Sequence, residues 1–256
     1  MMKDKGLFKK GIAMYHKNIT IKRLILYIFG LFFLSLGVSL SIEADLGVSP
    51  VSSLAYAFAL TSGFSVGAMT VVANVLFIIV QVFLSKRFNL KESIVQLIIA
   101  FLFGFFIDIT IKIVQVLPTP ESMIMRWGFL ILSLFVVAIG LLGYMTAKLP
   151  LMPYDELTYV ISEKFNMQFG KAKISSDLIN VCIAGFICIM FIQSFGSIGI
   201  GTLVAAYFIG KILGWFIKRY QQFLLQWMNN EKAEPEKEIV PEKQTSAFTE
   251  KTPIQK

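Results

Sequence analysis

Charge is scarce in this sequence: Asp, Glu, Lys and Arg make up 16% of 256 residues, against 56% apolar side chains. A chain with that balance cannot clothe itself in polar surface, which excludes an ordinary water-soluble domain. Histidine is nearly missing. His16 is the single copy and lies among lysines, so chemistry built on histidine has no support. Cys182 and Cys188 share one apolar run with no His or Cys partner at ligand spacing. They read as small buried side chains rather than a disulfide or a metal site. No GxxxxGK[ST] phosphate loop occurs, which excludes ATP-driven work by this chain alone. There is also no Ser–Lys arrangement on facing turns. The chain therefore reads as a non-enzyme, with no catalytic residue, no metal site and no cofactor.

What the sequence has instead is long apolar runs. A bilayer core of roughly 30 Å takes about 20 apolar residues as helix. Runs of that order lie near 21–42, 67–84, 94–116, 123–145, 174–193 and 198–217. The expected fold class is an all-α membrane protein with six transmembrane helices. Residues 1–20 are a basic flank without a small-residue cleavage site, so the first run is expected to stay as a helix. From about Asn229 the chain is rich in Glu, Lys and Pro, and residues 221–256 read as a cytoplasmic, largely disordered tail. The formal charge of +8 sits in loops and flanks beside apolar runs, which points to the lipid bilayer as partner and not to nucleic acid.

Pro118 and Pro120 split the chain into two halves, 21–117 and 118–220, that resemble each other. In a register 103 residues apart, Arg23, Gly37, Ala44, Leu46, Pro50 and Tyr56 meet Arg126, Gly140, Ala147, Leu149, Pro153 and Tyr159. Farther on, in a register 106 apart, Asn74 meets Asn180 and Gly104 meets Gly210. Each half holds three spans, and after the first of them comes an Ala-x-Leu-x-x-x-Pro turn feeding a short apolar segment. Those segments, near Val51–Leu60 and Tyr154–Phe165, are too short to cross. Lysine and arginine placement puts both termini and the Lys86–Lys91 loop inside. Three spans per half then make the halves opposite in orientation: a 3+3 inverted-topology repeat, with a broken or re-entrant half-helix after helices 1 and 4. The same short segments also suit amphipathic helices lying at the interface, above all the second, which carries Asp155, Glu156, Glu163 and Lys164.

Inverted repeats with broken helices are a recurrent transporter plan, with ligand groups near the half-helix ends. On that ground the candidate substrate-pathway residues are Asn74 and Asn180, then Gly47, Pro50, Ser52 and Ser53 of the first turn, and Pro153, Asp155 and Glu156 of the second. A paired amide supplies donors and acceptors without charge, which suits a neutral or zwitterionic solute. It equally suits an interhelical hydrogen bond. Asp108 and Lys211 are ionisable groups inside spans, functional candidates by default. Asp108 is one turn from Lys112 and is expected to pair with it; Lys211 has snorkelling toward the cytoplasm as its plain explanation.

The Leu46-Gly47-x-x-Pro50 turn, the Leu149-x-x-x-Pro153-Tyr154-Asp155 turn and the Lys173-Ile174-x-x-Asp177 start of the fifth span resemble the YczE/YyaS/YitT family over about residues 20–220. That resemblance implies a multi-span protein of the bacterial inner (cytoplasmic) membrane and carries no biochemical activity or catalytic residue with it. The expected function is a small-solute transporter or facilitator, acting alone or as the membrane subunit of a larger transport complex. The alternative is a non-transporting scaffold or accessory protein. A homo-oligomer or a partner subunit is compatible with either.

Overall fold

The computed structural model describes residues 21–86 and 89–228, and these are all-helical with no strand. Eight helices follow in order: α1 (Ile21–Glu43), α2 (Pro50–Ser62), α3 (Val66–Ser85), α4 (Leu90–Val114), α5 (Met123–Thr146), α6 (Pro153–Lys164), α7 (Phe169–Ile192) and α8 (Ile200–Met228). Six of them, all but α2 and α6, are long and apolar enough to cross a membrane. The basic flank and the chain beyond Met228 lie outside the described residues.

The centre is the α1–α5 pair. Lipid tails are as apolar as leucine, so helices associate there by close van der Waals contact, which small residues permit. Gly30 lies against the backbone of Tyr144 and Gly140, and Gly140 against the backbone of Leu34. Leu31, Leu34 and Val38 of α1, Val137 and Tyr144 of α5, and Phe103 and Ile107 of α4 form the main apolar cluster. α4 covers α1, and α8 covers α5. α8 is the outermost span: 17% of its most apolar window is buried, against 56% for α1.

The short helices start for a local reason. Pro50 and Pro153 are the first residues of α2 and α6, where the fixed proline φ suits a helix and its missing N–H costs nothing. The residue before a proline is driven to extended backbone. Ser49 (φ −61°, ψ 151°) and Met152 (φ −62°, ψ 151°) accordingly have almost the same conformation. Each short helix then lies against the long helix that follows it and against one from the other end of the chain: α2 on α3 and α7, α6 on α7 and α3.

Three helices run beyond the apolar stretches that predict them: α4 begins at Leu90 rather than 94, taking in Lys91 and Glu92. α7 begins at Phe169, taking in Lys171 and Lys173, and α8 continues past Ile217 to Met228, crossing the expected start of the tail at 221. Hydropathy marks the part of a helix that meets lipid, whereas its ends are set by caps and breakers, and none occurs between Lys218 and Met228. There Trp227 and Phe223 face Ile25 and Phe29 of α1, and Lys22 Nζ donates to the Trp227 carbonyl at 3.1 Å.

Candidate functional site

The starts of α2 and α6 meet at one small cavity of about 20 Å3, room for roughly one water-sized group. Ser52 of α2, Thr70, Asn74 and Phe77 of α3, and Met152 and Tyr154 at the start of α6 are among the residues that line it. Asn74 is 4% exposed. Its Nδ2 donates to the Thr70 carbonyl at 2.8 Å, back along its own helix, while its Oδ1 has no hydrogen-bond partner. A buried acceptor left unpaired costs about 1–3 kcal/mol, and in a native site it calls for a ligand or water.

Asn180 is equally buried but already engaged: its Nδ2 donates to the carbonyls of Pro50 at 2.6 Å and Val51 at 3.3 Å. It ties α7 to the first turn of α2, whereas Asn74 donates only within its own helix and leaves its buried Oδ1 unpartnered. The two amides are not brought together. Ser53 is fully buried and donates to the Pro50 carbonyl at 2.7 Å, and Ser52 accepts from Ser49 at 3.3 Å. Gly47 serves the backbone: its φ of +95° favours glycine, and Gly199 passes so close that a Cβ has no room. Around it Val48 N–H donates to the Ser197 carbonyl at 3.1 Å and Gly201 N–H to that of Leu46 at 2.7 Å, stitching the first turn to the loop before α8 and to the first turn of that helix.

The second turn carries a polar network in place of serines. The Tyr144 hydroxyl accepts from Met152 N–H at 2.6 Å and donates to Asp155 at 3.2 Å. Tyr27 donates to the Pro150 carbonyl at 2.9 Å. Lys173 at the start of α7 lies 3.7 Å from Asp155 and 3.4 Å from Asp177, with its Nζ 4.2 Å from the Tyr154 ring centre. The Tyr154 hydroxyl donates to Asp177, and its ring packs edge-on against Phe77 at 5.0 Å. Burial first, and the Asp177 carboxylate second, hold the Tyr154 phenol above its usual range. Beside this network, burial and then the Glu92, Glu163 and Asp155 carboxylates push Glu156 up to about 7.

Two candidates lie elsewhere. Asp108 does not pair with Lys112; its carboxylate accepts from Gly67 N–H and Ser65 Oγ, both at 2.8 Å, capping the start of α3. Open amides at a helix N-terminus compete well for a carboxylate. Lys211 is exposed on α8, bonded to the Tyr207 hydroxyl and 4.1 Å from its ring centre, away from the cavity. What sequence reasoning missed is the aromatic set, Tyr27, Tyr144 and Tyr154, and the part played by Lys173. The Lys173–Asp177 spacing of four was a readable signal; nothing in the sequence joins Tyr154 to either. No group of three His, Cys, Asp or Glu among the described residues is placed to hold a metal ion.

The chain is 28% identical over 201 residues to the uncharacterized protein YyaS of Bacillus subtilis (strain 168), covering 78% of this chain and 94% of that one. An uncharacterized protein of Haemophilus influenzae is 26% identical over 196 residues, 77% of this chain and 84% of its own. The uncharacterized membrane protein YczE of Bacillus subtilis is 28% identical over 209 residues, 81% and 91% respectively. No solved structure matches the chain. These likenesses agree with the six apolar helices, and the chain belongs, through residues 21–218, to the family of unknown function DUF6198.

Proposed function

We propose that this membrane protein is a small-solute transporter or facilitator, with its pathway between two halves of opposite orientation. The observation that carries the reading is the unpartnered, buried Asn74 Oδ1 at a small cavity where two broken helices begin. Backbone that is irregular at membrane depth is tolerated only where protein or a polar cavity satisfies it. The exchange of packing partners supports the inverted plan, since α2 lies on α7 just as α6 lies on α3. The halves would rock around the cavity, opening it to one side and then the other. The positive-inside pattern favours a bacterial cell membrane location with both termini in the cytoplasm.

Purified protein in liposomes, screened for flux over a panel of small metabolites, tests this directly. Asn74→Leu removes the open acceptor and is expected to cut flux at least about tenfold, equivalent to ~1.4 kcal/mol, while insertion and folding persist. Asn180→Leu is expected to act differently, lowering stability by ~1–3 kcal/mol because α2 loses the donor to its first-turn carbonyls. Absence of solute-dependent flux across the panel favours the scaffold reading, and unchanged flux in Asn74→Leu removes Asn74 from the pathway.

A further inference from the structure

Asn74 Oδ1 can only accept, and it is the atom left without a partner beside the cavity. The Tyr154 ring lines the same cavity and also lies under a cation, 4.2 Å from Lys173 Nζ. Aromatic faces attract ammonium groups, more strongly where water is excluded. Asp155 and Asp177 flank that ammonium at 3.7 and 3.4 Å. Two carboxylates against one lysine leave the cluster a net negative charge. A neutral solute has no use for that surplus, and an anion is repelled by it.

We propose that Asn74 Oδ1, the Tyr154 ring and the Asp155 and Asp177 carboxylates form a binding track for small organic ammonium ions, with Lys173 Nζ as a tethered stand-in at one end. The proposal deepens the transport reading and rests on it for its pathway, since it names the class of solute. A primary ammonium meets each group by the interaction that group offers. In the cavity its N–H groups donate to Asn74 Oδ1; at the other end of the track, beyond Tyr154 and outside the cavity lining, they donate to the carboxylates, with the charge over the Tyr154 face. Lys173 makes those last contacts already, so an arriving ammonium displaces it. The cavity has room for about one water-sized group, which fits an ammonium head in the closed form. Tyr154 couples the two ends: its ring forms part of the cavity wall, and its hydroxyl is held by Asp177. Moving Lys173 off Asp177 thereby loosens the wall itself.

The test is equilibrium binding of radiolabelled methylammonium to the full chain in lipid nanodiscs, with tetramethylammonium, which has no N–H, as competitor. Saturable binding by the wild type, not displaced by tetramethylammonium, is expected. Lys173→Met removes the tethered competitor and is expected to tighten methylammonium about tenfold. Asn74→Leu is expected to weaken it about tenfold with no loss of melting temperature, since the substitution removes an unpaired buried acceptor. The Asn74→Leu comparison decides the matter even if Lys173→Met does not fold. No saturable binding by the wild type, equal displacement by tetramethylammonium, or binding indifferent to Asn74→Leu overturns the proposal. Its failure is separable from that of transport: flux of some other solute without methylammonium binding sinks the ammonium track alone. Methylammonium binding without flux of any solute leaves the track and removes transport.

Discussion

Asn74 and Asn180 occupy matched positions in α3 and α7, yet of the two only Asn74 has a fully buried polar atom without a partner. The difference comes from what each meets. Asn180 faces the first turn of α2, where the Pro50 and Val51 carbonyls take both of its contacts. Asn74 faces the start of α6, where Tyr154 fills the space and offers Asn74 no hydrogen bond. The second turn is thus the specialised one, and Glu156 gives it a pH response. Its carboxyl is raised from an ordinary 4.5 to about 7, mainly by burial and then by Glu92, Glu163 and Asp155. Between those values the folded chain holds a proton that the unfolded chain has released, so stability falls as pH rises through the window. Glu156→Gln keeps the neutral shape and removes the proton. Melting of the purified protein, followed from about pH 4.5 to about pH 7.5, is expected to decline in the wild type and to flatten in Glu156→Gln. Parallel profiles for the two proteins contradict this. At this scale the sequence was only half legible. Residue type flagged Asn74 and Asp155, but which partner each finds depends on folding. Asp108 makes the point: four residues from Lys112, it bonds instead to α3, which begins 42 positions earlier at Val66.

Helices were more legible than side chains, because length and hydropathy act on every residue in a run. All six spans stand where apolar runs predict helices, and both prolines begin short helices. The ends of α7 and α8 were not legible from hydropathy, since an α-helix continues through lysine and glutamine until a cap stops it. The pairing of helices was legible only as a tendency, in the glycines of α1 and α5. Their substitution separates glycines that touch from those that do not. A Cβ on Gly140 meets the Leu34 backbone, which cannot move aside as a flexible side chain does. Gly140→Ala is therefore expected to cost ~1–3 kcal/mol through overpacking, read as a lowered midpoint of unfolding in detergent. Gly128 is in the same helix with nothing within 4 Å of an added Cβ. Gly128→Ala should be neutral or stabilise by up to ~1 kcal/mol, as alanine forms helix better than glycine. Equal losses in the two variants count against the α1–α5 contact as the centre of the fold.

At the scale of the whole molecule, backbone conformation repeats where side chains do not. Asp45 and Lys148, opposite charges at matched positions, have φ of 51° and 52°. Gly63 and Asn166, matched again at the ends of the two short helices, have φ of 74° and 50°. Left-handed backbone is uncommon outside glycine, so its recurrence in register supports a common ancestry for the halves more strongly than scattered leucine identities do. An odd number of spans in each half then predicts that matched positions face opposite sides of the membrane. Ser62 and Phe165 form such a pair, both exposed, in a register 103 apart. Single cysteines there, with Cys182 and Cys188 replaced, can be labelled by a membrane-impermeant maleimide in intact cells and in inside-out vesicles. Ser62→Cys is expected to react from outside and Phe165→Cys from within. Reaction of both from one side removes the inverted arrangement, and with it the rocking mechanism. Opposite reactivity keeps the pathway, with two unlike walls where its halves meet: the serine-bearing start of α2, and the charged start of α6, where Lys173 holds its carboxylates.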